Sequence, residues 1–299
     1  MKLFYADHFV LPLPTGHRFP MEKYAMLRAS LRDSKRFAEA DFVVPAAASD
    51  AEILRSHDPD YLQRIIDGSL RPDETRRIGF PWSPEMVERS RRSAGATLAA
   101  CRSALEDGCG VNMAGGTHHA HRDFGAGFCV FNDAAIAACA MKAEGRVERV
   151  AIVDCDVHQG DGTASILEDD ASIFTFSIHG AKNFPFRKGR SDLDIELEDG
   201  TTDAAYLERL ESGLEAVFAR CAPELVIYLA GADPYVDDRL GRLSLSCAGL
   251  AARDQMVLEA CRFRSVPVAI AMAGGYARNI ADTVAIHQAT ILLSRELLT

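Results

Sequence analysis

Several things are missing from this chain, and each absence excludes something. Its 299 residues contain no apolar run near the roughly 18 that span a bilayer. The first residues, Met1-Lys-Leu-Phe-Tyr-Ala-Asp, carry no secretory h-region, so a cytoplasmic protein that does not enter membranes is expected. None of the eight cysteines stands in Cys-x-x-Cys spacing, which argues against a thiolate zinc site. Most sit in apolar surroundings such as Ala137-Ala138-Cys139-Ala140 and are expected to be small buried residues in a reducing compartment. Basic excess is also absent. The formal net charge is −10, which argues against a nucleic-acid partner and favours cationic ones. There is no internal repeat, low-complexity tract or linker, so residues 1–299 are read as a single domain. The one tryptophan, Trp82, lies in a proline-rich stretch, where it is either a local staple or part of a ligand-site rim.

What is present is a rhythm. From Cys109 onward, short apolar runs alternate with helical segments. Leu225–Ala230 and Val266–Ala273 are apolar throughout, as strands covered on both sides must be. This predicts an α/β fold with a central, mainly parallel sheet and helices on both faces. The first third reads as a short strand, a proline-punctuated loop, a helix over 21–38, a second short strand and two small capped helices. His57 is read as part of one of those caps. Residues 71–84 read as loop, and Pro84 opens a long helix. Asp192, Asp194, Glu196 and Glu198 alternate with Leu193, Ile195 and Leu197, the pattern of an edge strand with a solvated acidic face.

Four predicted strands end in unusual chemistry. One leads to Gly115-Gly-Thr-His118-His119, one to Asp154-Cys-Asp156-Val-His158-Gln-Gly-Asp161, one to Gly231-Ala-Asp233, and one to Gly274-Gly275-Tyr276. Parallel strands bring such ends to one edge of the sheet, where ligands bind. If the backbone stays extended, Asp154, Asp156 and His158 project to one side. Asp156, His158 and Asp233 form an O/N/O set that leaves coordination positions open. That suits a catalytic ion, zinc first and iron(II) second. The adjacent pair His118 and His119 fits acid/base work, one taking a proton from water and the other protonating a leaving amine. Asp154 and Asp161 are left over to fix the imidazoles, and the Tyr276 phenol is placed to meet a developing oxyanion. A two-manganese hydrolase on a similar fold would need a second aspartate two residues beyond Asp233, and residue 235 is tyrosine. His8, His17, His57, His121, His179 and His287 read as structural or surface groups.

These motifs, with Gly127-Phe128-Cys129-Val-Phe-Asn132-Asp133 and Ser177-Ile-His179, resemble the histone deacetylase superfamily. That superfamily includes acetylpolyamine amidohydrolases and acetoin-utilisation proteins and has a three-layer, arginase-like fold. The length and the segment Gly16-His-Arg-Phe-Pro20-Met-Glu-Lys-Tyr look most like the small class IV-type bacterial members. The resemblance implies a zinc-dependent amidohydrolase acting on acyl-lysine in a protein or on a small acyl-amine. It gives Asp156, His158 and Asp233 as zinc ligands, and His118 and His119 as the acid/base pair oriented by Asp154 and Asp161. Tyr276 becomes the oxyanion stabiliser. Gly127, Phe128 and Phe184 (or Phe186) line an acyl-lysine tunnel with Leu240 at its rim. It also implies a structural potassium ion on backbone carbonyls of Asp154, Asp156 and His158, near Ser177 and Ile178, and either a monomer or a homodimer. Arg18 and Arg28 are candidates for an arginine of an internal channel. The acidic rim residue of some relatives has no counterpart that can be placed.

Overall fold

The computed structural model describes residues 1–298. Eight strands form one sheet: β1 (Lys2–Phe4), β2 (Phe42–Val43), β3 (Cys109–Asn112), β4 (Val150–Asp154), β5 (Ile173–Gly180), β6 (Leu193–Leu197), β7 (Leu225–Leu229) and β8 (Val268–Ala271). Their order is β2-β1-β3-β8-β7-β4-β5-β6, and every pairing is parallel. Strands β3, β4, β5, β7 and β8 are buried along their whole length. This is why β7, β8 and β4 up to Asp154 read as unbroken apolar runs, while β5 places Thr175, Ser177 and His179 in the buried layer and β3 ends on buried Asn112.

Ten α-helices cover the sheet: α1 (Glu22–Asp33), α2 (Asp50–Ile53), α3 (Pro59–Asp67), α4 (Pro72–Ile78), α5 (Pro84–Asp107), α6 (Asp133–Ala143), α7 (Asp161–Leu167), α8 (Asp203–Cys221), α9 (Cys247–Phe263) and α10 (Ile280–Leu298). On one face, side chains of α1, α8, α9 and α10 pack in one apolar cluster. On the other, α2, α3, α5, α6 and α7 form a second. The result is the expected three-layer fold. Among the described residues, no helix is long and apolar enough to cross a membrane. All eight cysteines are unpaired.

The register matters for function. Asp154 pairs with Leu229, Leu229 with Ala271, and Ala271 with Asn112. The last residues of β4, β7, β8 and β3 therefore lie level. These four strands are consecutive at the centre of the sheet, and they are the four whose ends carry the histidines, acids and tyrosine.

Some boundaries differ from the sequence-based expectation. Helix α1 stops at Asp33 rather than Ala38, because Ser34 closes it and Lys35 takes a left-handed conformation at φ 55°. Residues 71–84 are not all loop: Pro72–Ile78 is helix α4, with proline in its first turn, Glu74 bonded back to Arg71 N, and Gly79 at its end. Trp82 is the staple. Its indole N–H donates to Ile65 O at 2.7 Å, closing the α3–α4 region, and it is not in the ligand pocket. At the edge strand β6, Asp192 and Asp194 are not simply solvated. Asp192 accepts from Thr175 N and Oγ1, and Asp194 accepts from Gln159 Nε2.

Helix α5 packs unusually close to the segment before α2. An ideal Cβ on Gly95 would sit 1.9 Å from the Ala46 carbonyl oxygen. Helix propensity alone favours Gly95→Ala by roughly 1 kcal/mol. The clash is with backbone and cannot be relieved by a side-chain rotation, so the expected net effect is a loss of about 1–3 kcal/mol. Urea unfolding monitored by circular dichroism checks the sign, and a stabilised variant would refute the close approach.

Candidate active site

Strand β4 ends at Asp154, and the next residues bend rather than continue extended. Alternation along a strand therefore does not align Asp154, Asp156 and His158. Their own carboxylates build the turn instead. Asp154 Oδ1 accepts from Asp156 N at 3.1 Å, and Asp156 Oδ1 accepts from His158 N at 2.9 Å. From the end of β7, Asp233 reaches across, and its Oδ1 accepts from Val157 N at 2.9 Å. From the end of β8, Gly274 N donates to Asp156 Oδ2 at 2.7 Å. A Cβ on Gly274 would lie 1.9 Å from Asp233 Oδ2, so only glycine lets this strand end approach the two acids.

Asp156, His158 and Asp233 offer ligand atoms that all lie within 4.8 Å of one another. His158 Nδ1 stands 2.9 Å from Asp156 Oδ1 and 3.3 Å from Asp233 Oδ2. Asp233 Oδ2 is buried with no geometrically sound hydrogen-bond partner. Without a cation, the cluster gathers protons. Burial works against charge on His158, but the two carboxylates outweigh it and raise the imidazole to about 10. Burial, then the Asp156 charge, pushes Asp233 up to about 7. Two buried acids, one of them left partly unsatisfied, and a converging imidazole are a donor set that a divalent cation satisfies.

The two adjacent histidines lie beside this cluster. His118 donates from Nδ1 to Asp154 Oδ2 at 2.6 Å, and its Nε2 lies 3.8 Å from Asp156 Oδ1. His119 donates from Nδ1 to Asp161 Oδ1 at 2.6 Å. Their environments differ. Burial disfavours charge on both. On His118, Asp154 and Asp156 overcome it and raise the ring to about 9. On His119, burial and the neighbouring His118 charge prevail over Asp161, and the ring falls to about 4. With the neighbouring cluster free of a cation, the two rings are thus driven in opposite directions, His118 up and His119 down.

The surrounding cavity holds about 1080 Å³. Phe184 packs edge-on against His119 at 4.8 Å between centroids, whereas Phe186 is 88% exposed beyond it. Phe184 is thus the phenylalanine beside the histidines. Gly127 lies between His119 and Phe184. Phe128 adjoins Tyr276 at 6.2 Å, and its N–H is anchored on Ile78 O at the end of α4. Leu240 lines the cavity, and its carbonyl accepts from Asn183. Burial holds the Tyr276 phenol well above its usual value, hence protonated and able to donate. Of the two channel arginines considered, Arg28 pairs with Asp7 outside the cavity and Arg18 stands exposed at the mouth. The buried cations that do line the cavity are Lys23 and Arg89.

A family profile described as the histone deacetylase domain matches residues 17–291. The chain belongs to the histone deacetylase family. It is 44% identical over 283 residues to an uncharacterised protein of Picosynechococcus sp., covering 95% of this chain and 94% of that one. It is 30% identical over 287 residues to the histone deacetylase-like amidohydrolase of Pseudomonas aeruginosa, covering 89% and 74%. The crystal structure of a histone deacetylase homologue from Aquifex aeolicus superposes with a TM-score of 0.87 at 24% identity, covering 98% of this chain and 84% of that one. The protein is a deacetylase, an enzyme that hydrolyses linear amides.

Several supports of this cluster escaped the sequence reading. Asp238 accepts from Tyr276 N at 2.6 Å and from Leu240 and Gly241 N, fixing the tyrosine and the rim together. Asp133 accepts from Gly116 N and Thr117 N, holding the loop that carries the histidines. His121, read as structural, gives Asp161 a second bond at 3.1 Å. His57 does not cap a helix; its Nε2 accepts from Asn132 N at 2.9 Å. Asn132 in turn caps α6 and donates to the carbonyls of His118 and Ala120.

His57 therefore has to be neutral to do this. Burial lowers it to about 4, against an ordinary value of 6.5. The unfolded chain binds this proton more readily, so stability rises with pH between 4 and 6.5 and is lost as pH falls through that window. The full loss is about 3 kcal/mol at most. Urea midpoints of the wild type and His57→Gln between pH 4 and 7 should diverge in slope, with the wild type the steeper. Parallel slopes would rule out this histidine as a source of acid sensitivity.

Proposed function

We propose that this pocket hydrolyses the amide of an acylated lysine side chain, or of a similarly slim acyl-amine, and that the whole chain is one catalytic unit. The observation that carries this reading is the pair His118 and His119, each tied at Nδ1 to its own buried carboxylate and set beside a cation-seeking O/N/O cluster. Asp156, His158 and Asp233 would hold the divalent ion, with zinc the best match to two carboxylates and an imidazole and iron(II) the second candidate. Bound there, the ion supplies Lewis acidity toward water and the acyl carbonyl. Under the same reading, a structural potassium ion on the backbone carbonyls of Asp154, Asp156 and His158, near Ser177 and Ile178, would brace the turn after β4.

The chain's own residues manage the protons. His119, neutral near pH 7, takes one from the attacking water through Nε2, and Asp161 steadies the imidazolium that forms. His118, charged and anchored on Asp154, delivers one to the leaving amine as the carbon–nitrogen bond breaks. Tyr276 donates from its hydroxyl to the developing oxyanion, held in place through Asp238. Phe128 and Phe184 flank the acyl-lysine chain, Gly127 lets the wall come close, and Leu240 forms part of the rim. The products are a carboxylate and a free amine.

The test is carboxylate release from an acetyl-lysine peptide, a long-chain acyl-lysine peptide and an acetylpolyamine, by zinc-loaded and chelated protein. Turnover should vanish on chelation and return with the ion. Tyr276→Phe should cut kcat by roughly 10²–10³-fold, as loss of an oxyanion donor does, with KM little changed. A Tyr276→Phe enzyme with full kcat would remove the tyrosine from this scheme, and no turnover of any acyl-amine would overturn the substrate assignment.

A further inference from the structure

The mouth of the cavity is strongly cationic although the protein is acidic. Six exposed cations line it: Arg18, Arg76, Arg77, Lys182, Arg239 and Arg242. They come from four separate segments, so no basic run in the sequence announces them. Among the described residues, the only carboxylates lining the cavity are Asp156 and Asp233, both buried. Most of the rim charge is not neutralised by neighbours. Asp199 bridges Arg242 at 2.9 Å and approaches Lys182 at 3.9 Å, so one acid serves two cations. Arg239 donates to the carbonyl of Arg278, which cancels no charge. Arg77 lies over the Phe124 ring. Arg18 and Arg76 have no ion-pair partner among the described residues.

The net charge of −10 does not cancel this locally. A chain of this length has a radius of gyration of about 19 Å. The screening length in physiological salt is only about 8 Å. Whatever docks at the rim therefore meets the nearby guanidinium groups, while most of the acidic surface lies beyond screening range.

We infer that the enzyme selects an acyl-lysine carried on an acidic polypeptide segment, with aspartate or glutamate flanking the modified lysine, and disfavours polycationic amines. This rests on the deacylase reading of the pocket and specifies its substrate class. Flanking carboxylates would meet forked donors that match their geometry. An acylpolyamine would bring its remaining ammonium groups into the same cationic ring, where the acid beside the rim cations, Asp199, is already shared between Arg242 and Lys182.

The test uses one acyl-lysine in three peptides of equal length, flanked by glutamate, by neutral residues or by lysine, with an acetylpolyamine alongside. Fluorescence anisotropy reads binding and carboxylate release reads turnover, each on the whole zinc-loaded protein. Two or three exposed contacts of this kind amount to roughly a tenfold advantage in KM for the glutamate-flanked peptide over the neutral one. The lysine-flanked peptide should fall below the neutral one. The spread should shrink in about 0.5 M salt, where screening is nearly contact-range. Arg76→Glu and, on a different loop, Arg18→Glu should each narrow the ratio between the acidic and basic peptides. Turnover of the neutral peptide with no dependence on flanking charge, or a preference for the lysine-flanked peptide or the polyamine, would overturn the inference. Charge-ordered binding without turnover of any peptide would instead overturn the deacylase reading and leave the charge preference standing.

Discussion

Buried negative charge is the constraint on which this structure turns. Asp154, Asp156, Asp161 and Asp233 lie within a few residues of two neighbouring strand ends, those of β4 and β7, and are almost wholly shielded from water. A bare carboxylate in such a place is costly, so each must be matched by a positive group or several N–H donors. Asp154 and Asp161 are matched by histidines. Asp156 receives the N–H groups of His158 and Gly274, and Asp233 that of Val157. One oxygen of Asp233 remains over, facing His158. The polar chemistry is thus distributed so that every acid except at one point has its counterpart, and that point is where the proposed cation would be held.

Much of this was legible in the sequence, because the sheet demands it. Buried parallel strands must be apolar, so a polar cluster at the end of an apolar run stands out, and four such ends predicted one site. The order β3-β8-β7-β4 could not be read from chain order, yet it is what makes the four ends adjacent. The misreadings have local causes. Pro72-Asp-Glu-Thr-Arg-Arg-Ile looks like loop because it is short, charged and flanked by glycine and proline. Its helical state depends on burying Glu74 and Ile78 against neighbours that the window does not contain. The extended alternation assumed after Asp154 failed because short acidic side chains prefer to bond the backbone two residues on, which makes turns.

Other supports were invisible for a different reason. His57, Asp238 and Lys23 act at sequence distances of tens to hundreds of residues, on the backbone N–H of Asn132, the N–H of Tyr276 and the carbonyl of Gly275. Main-chain groups carry no sequence label, so nothing in the primary structure points to a side chain that serves them. The cationic mouth is the same problem in electrostatic form. Composition gave −10 and suggested cationic partners, whereas the charges that a substrate meets are selected by the fold from loops far apart in the chain.

The two histidines show how far environment, rather than residue type, decides chemistry. They are adjacent, both buried and both bonded to aspartate at 2.6 Å, yet their proton affinities are driven to opposite sides of neutrality. The difference lies in the next group out. His118 faces Asp156 as well as Asp154, two negative charges. His119 shares Asp161 with His121 and stands against the positive His118. Asp156 is also a member of the cation-seeking cluster, so under the proposed function a dication held there would withdraw part of what holds the proton on His118. The proposed acid of the pair would then be a stronger acid, and readiness to protonate a leaving amine would be linked to occupation of the neighbouring cluster.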